Sequence, residues 1–172
     1  MIKEFLQGKW LGHPLHPALV HLPTGLLPVS LLFDILSRSG IGANAMVQTS
    51  FYCISMALLI ALLAVPAGLA DWLDIKTDKP AYKVALWHMS LNLLVAILFA
   101  TNFALRLSTF QHQNQIDLLP LFLSILGTLV LIVSGYLGSW MVFDQGIGIA
   151  RFSKKKWRKL ALAGHSNVPP ES

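Results

Sequence analysis

The stretch AMVQTSFYCISMALLIALLAVPAGLA (Ala45 to Ala70) decides the fold class. It carries no charged residue over a length exceeding the ~20 residues an α-helix needs to cross a ~30 Å hydrocarbon layer. Three further apolar runs accompany it, Ala18 to Ser37, Val84 to Leu107 and Leu118 to Phe143. With 55% hydrophobic and 12% charged residues among 172, the chain is too apolar for an ordinary soluble domain. The connections are short, so consecutive helices become antiparallel neighbours. The composition predicts an all-α integral membrane protein, a four-helix bundle running up-down-up-down. Residues 1–17 form an N-terminal His/Pro interfacial segment, 18–143 the transmembrane domain, and 144–172 a basic juxtamembrane segment with a flexible tail.

Lys3, Glu4, Lys9 and several prolines interrupt the segment before Ala18, so no cleaved signal peptide is expected there. Four crossings put both termini on one side. That side holds eleven basic residues: Lys3, Lys9, Lys76, Lys79, Lys83, Arg151, Lys154, Lys155, Lys156, Arg158 and Lys159. The other side holds two, Arg38 and Arg106. This excess predicts cytoplasmic termini in a multi-pass protein of the bacterial inner (cytoplasmic) membrane. The net charge of +5 then implies contact with anionic membrane lipid and no nucleic acid, because no nucleic-acid-binding fold accompanies it. RFSKKKWRKLALA (Arg151 to Ala163) reads as a short interfacial helix. His112 and His165 read as solvated bystanders.

Chemistry concentrates at the predicted cytoplasmic end. GHPLHPALVH (Gly12 to His21) brings three histidines, and His88 recurs where the third span begins. Trp10, Trp72, Trp87, Trp140 and Trp157 fall on this side too, whereas a purely structural aromatic belt populates both interfaces. Imidazole is the commonest metal ligand among side chains, and ionisable groups near lipid are costly enough to require a reason. The one cysteine, Cys53, excludes an intramolecular disulfide and reads as a packing residue.

His21 lies three residues into its span and His88 four, so at 1.5 Å per residue both sit roughly 5 Å inside the membrane edge. Two neutral imidazoles on separate helices at similar depth suit bis-histidine ligation of haem b. His16 is the alternative first ligand. Asn92, at i+4 from His88, and Asp71 would orient the rings, with His13 and Trp87 bordering the pocket. Gly25, Gly68, Gly135 and Gly138 could give a macrocycle room, but close helix packing explains them better. The expected function is a membrane electron-transfer protein or subunit rather than a stand-alone enzyme. It would exchange electrons with a quinol or a redox partner.

Two other readings compete. A compact zinc, copper or non-haem iron site could use His13, His16, His21, His88 and Asp71. A cofactor-free membrane scaffold or interaction subunit, with a homo-oligomer as one form, would leave the histidines as helix-end residues. His21 could then satisfy groups freed by Pro23, such as the Leu19 carbonyl. Asp34, four residues before Arg38, is expected to form an i to i+4 ion pair.

The blocks GHPLHPALVHLPTGLL, LLFDIL, GLADWLDI, ALWHMSLNLL and VSGYLGSWMVFDQGIGI resemble the bacterial four-helix membrane family catalogued as domain of unknown function 2231. The resemblance covers roughly residues 11 to 149 and implies His13, His16, His21, Asp34, Asp71, His88 and Asn92 as the marked positions. Leu22 and Thr24 depart from the Phe and Ile of many relatives, without removing a candidate ligand. Similar domains occur joined to, or encoded beside, Rieske-type iron–sulfur domains. The resemblance therefore implies a redox setting in which a Rieske-type partner would be a separate chain.

Overall fold

The computed structural model describes residues 1–147. A short helix α1 (Ile2–Leu6) and a 3-10 turn (Lys9–Leu11) precede four long helices: α2 (Leu15–Arg38), α3 (Ala43–Trp72), α4 (Pro80–Arg106) and α5 (Leu118–Phe143). Each of the four is long and apolar enough to cross a membrane. The basic segment from Arg151 to Ala163 and His165 lie outside the described residues.

The helices α2 and α4 begin three and four residues before their apolar runs, and proline explains why. Pro14 occupies the N-cap of α2 in extended conformation, and Pro17 falls in the first turn, where a missing N–H leaves no helical bond unmade. Pro80 opens α4 in the same way. The segment before α2 is helical in short pieces, and His16 and Pro17, placed by the sequence in the N-terminal interfacial segment, already belong to α2.

The bundle is two helical hairpins. α2 packs most closely on α3, and α4 on α5; the hairpins meet through α2 against α5 and α3 against α4. That arrangement leaves α2 and α4 facing one another across a diagonal. An apolar core of Leu27, Ile54, Ala57, Val95, Phe99 and Leu131 joins all four helices. Gly127 makes it possible, because a Cβ there would lie 2.6 Å from Cε2 of the Phe99 ring. Large apolar side chains such as Leu62, Leu63, Leu93 and Phe143 cover the outside, as a lipid-facing surface requires.

One end of the bundle is closed by charge. Asp34 and Arg106 are fully buried and form a bidentate pair, Nη1 to Oδ1 at 2.8 Å and Nη2 to Oδ2 at 2.7 Å. Arg106 also donates to Ser50 Oγ at 2.9 Å, Ser124 Oγ at 3.2 Å and Asn102 Oδ1 at 2.5 Å, so all five guanidinium N–H groups have partners. Ser124 Oγ donates onward to Asp34 Oδ2 at 2.7 Å. The cluster draws on all four long helices.

This corrects the expected Asp34–Arg38 pair. Asp34 faces the interior, where a carboxylate persists only with a close cation and further hydrogen bonds. Arg38 points elsewhere and donates Nη1 to the Ile116 carbonyl at 2.8 Å. Arg106 is the last residue of α4.

Candidate functional site

The other end carries the histidines. His16 stands in the first turn of α2 with its ring seated on Gly68 of α3; a Cβ there would come within 2.7 Å of Cε1. Its Nδ1 lies 2.9 Å from the Ala64 carbonyl oxygen. A carbonyl only accepts, so Nδ1 carries a proton, and in a neutral ring the lone pair is then on Nε2.

His88 repeats this arrangement in the other hairpin. Its ring is seated on Gly138 of α5, where a Cβ would come within 2.9 Å of Cε1. Nδ1 lies 2.8 Å from the Ser134 carbonyl oxygen and 3.1 Å from Ser134 Oγ. Nε2 accepts from Asn92 Nδ2 at 3.0 Å, and the same amide nitrogen lies 2.9 Å from the His88 carbonyl. Asn92 therefore orients His88 as its i+4 placement suggests.

Both rings lie at one level. His16 and Asp34 are eighteen residues apart, as are His88 and Arg106, so each imidazole stands roughly 27 Å from the shared ion pair. His16 is within electrostatic range of both His88 and Asp71. Around these rings the apolar core thins out: α2 has no buried residue before Pro23, and α4 has none between Ala85 and Val95.

His21 does not join them. It is exposed, and its Nδ1 turns back to the Pro17 carbonyl of its own helix at 2.5 Å, not toward the Leu19 carbonyl. Trp87 is 67% exposed and lies outside the bundle. Gly68 and Gly138 serve as seats for histidine rings, while Gly25 and Gly135 border open space. Among the described residues no three His, Cys, Asp or Glu side chains come together closely enough to hold a metal ion.

The opening segment folds over the end of α3 and builds a separate cavity of about 370 Å³, lined by Gln7, Lys9, His13 and Asp71 among others. Gly8 permits the fold at φ 74°, and a Cβ there would lie 2.2 Å from the His13 carbonyl oxygen. Gln7 Nε2 donates to the Ala70 carbonyl at 3.0 Å and to Asp74 Oδ2 at 2.5 Å. Lys3 Nζ reaches Asp74 Oδ1 at 2.5 Å.

The hydrogen bond from Lys3, then that from Gln7, holds the Asp74 carboxyl below its ordinary range. A lowered folded-state value contributes docking stability that is present at neutral pH and lost as acid protonates the group, below about pH 4. The protection factors of residues 1–12, taken relative to intrinsic amide exchange at each pH, should therefore fall on acidification, and Asp74→Asn should give the low values already at pH 7. Equal protection of native protein and variant at pH 7 would refute this.

Sequence reasoning missed Ser134 and the cluster of Ser50, Asn102, Arg106 and Ser124. One signal was available: Arg106 stands as far from His88 as Asp34 does from His16.

A family model described as predicted membrane protein, DUF2231, matches residues 12–151. The chain belongs to this DUF2231 family. The match includes His13, His16, His21, His88, the ion pair and all four long helices, so the DUF2231 domain is the whole bundle and the protein is a multi-pass membrane protein. No curated protein and no solved structure matches this DUF2231 chain.

Proposed function

We propose that this DUF2231 protein is a membrane electron-transfer protein or subunit that holds haem b between its two hairpins, with His16 and His88 as axial ligands. One observation carries the reading: two imidazoles stand at one level on diagonal helices, each with Nδ1 engaged by a carbonyl of the neighbouring helix. Engagement of the remote nitrogen is how proteins fix the tautomer and orientation of a metal-binding histidine. The scarcity of buried residues at this level of α2 and α4 supports it.

The donor set suits the group, two neutral nitrogens from opposite sides, and the haem would supply a one-electron carrier. Asn92 would release Nε2 of His88 and keep its contact to the His88 carbonyl. The excess of basic residues on this side supports a position at the cytoplasmic face of a bacterial inner membrane. A quinol or a Rieske-type protein is the electron-transfer partner in this reading.

A second reading, a cofactor-free scaffold, draws on His88 having partners for both ring nitrogens. Protein purified after haem supplementation separates the readings. A low-spin Soret band that responds to reductant supports electron transfer. A colourless preparation overturns the haem assignment; stoichiometric metal in it favours a compact metal site, and its absence favours the scaffold.

A further inference from the structure

The two hairpins match position by position. Buried Leu27, Ser30 and Asp34 of α2 correspond to buried Phe99, Asn102 and Arg106 of α4, each seventy-two residues later. Ile54 and Ala64 of α3 correspond likewise to Ser124 and Ser134 of α5, seventy residues later. Helical periodicity alone can bring apolar stripes into phase. It does not make the histidine seats obey the same displacements, yet His16 on Ala64 and Gly68 becomes His88 on Ser134 and Gly138.

The pairing of the helices obeys the same exchange. Swapping α2 with α4 and α3 with α5 turns the α2–α5 contact into the α4–α3 contact, and both are present. The hairpins run in the same direction, so the operation relating them is a twofold along the bundle. A residue that touches its own counterpart lies on such an axis, and Asp34 touches Arg106.

We infer that the chain is a parallel two-hairpin repeat in which the inner face of each hairpin is the docking surface for the other, with Asp34 and Arg106 on the axis selecting that unlike pairing. In a pair of like hairpins Asp34 would meet Asp34, or Arg106 would meet Arg106, and a buried like-charge contact is strongly unfavourable. Unlike pairing neutralises both charges within one chain. This inference holds whether or not a cofactor binds. It also puts His16 and His88 astride the axis, so an occupant meets the same donor from opposite sides.

The test exchanges the charges in the full chain. Asp34→Arg and Arg106→Asp each place like charges on the axis and should abolish a monodisperse peak in detergent or lower the thermal midpoint by roughly 10 °C or more. The double swap should recover at least half of that loss. A second change distinguishes a repeat from an ordinary ion pair. Asn102 Oδ1 accepts from Arg106 Nε, and Ser30 is its counterpart beside position 34.

Ser30→Asn should therefore raise the midpoint of the double swap by a few degrees, while lowering that of the native chain, where Ser30 is fully buried. A double swap as damaged as its single parents would overturn the inference. So would a Ser30→Asn effect of the same sign in both backgrounds.

Discussion

Arg106→Leu is expected to cost about 3–5 kcal/mol of stability, a drop of roughly 10–15 °C in the thermal midpoint of the purified protein. The variant leaves the Asp34 carboxylate fully buried, with Ser124 Oγ as its remaining hydrogen-bond donor in the cluster. It also leaves Asn102 Oδ1 and Ser50 Oγ without the partners that Arg106 supplies. Arg106→Lys should lie between the two, since an ammonium restores charge but cannot reproduce five donors in one plane. Removing both charges, in Asp34→Leu with Arg106→Leu, should cost less than the sum of the single changes, because no uncompensated ion stays inside. Unfolding followed by tryptophan fluorescence in detergent gives all four values. An Arg106→Leu protein as stable as the native one would show that the cluster holds nothing together.

The second large effect is spectroscopic. His16→Ala and His88→Ala should each abolish the low-spin Soret band of haem-loaded protein, because one axial imidazole cannot maintain the low-spin state. His21→Ala should leave the band in place, since this ring is exposed and turned to its own helix. Loss of the band in His21→Ala with retention in His16→Ala would restore the ligand pair that depth alone suggests. Asn92→Leu adds a finer readout: with no amide on Nε2, His88 should take the haem more tightly, and the titration midpoint should move to lower haem concentration.

The gap between the two histidine assignments shows where sequence reading ends. His16 and His21 both lie at the start of α2, and their depths differ by only about 7.5 Å at 1.5 Å per residue. What separates them is rotation about the helix axis. Around His16 and His21 the apolar pattern shows no stripe; the polar stripe that marks the rotation of α2, Ser30, Asp34 and Ser37, lies in the far half of the helix, about five turns from His16. Asp34 shows the same limit. Its nearest cation along the chain is Arg38, and local spacing therefore favours an i to i+4 pair. Its partner in space is Arg106, because an inward carboxylate needs a cation that is also inward. Asn92 was legible for the opposite reason: its contact with His88 lies within one helix, where spacing dictates proximity.

The repeat was hidden by the same uniformity. Leu, Ile, Val and Ala recur so often in a membrane-spanning helix that two matching hairpins look no more alike than any two apolar segments. The ring seats and the ion pair reveal the correspondence because their partners are specific.

The amino-acid sequence by itself determined that four long apolar helices exist, that they alternate in direction, and that histidines and tryptophans gather at one end. Length, polarity and connection size suffice for those conclusions. The tertiary structure alone decided that His16 faces inward and His21 outward, that Asp34 closes on Arg106, and that the hairpins repeat. Each of these depends on how a helix is turned against its neighbours. That turn is set by packing, at Gly68, Gly127 and Gly138 above all, where missing side chains let a ring from the next helix come in.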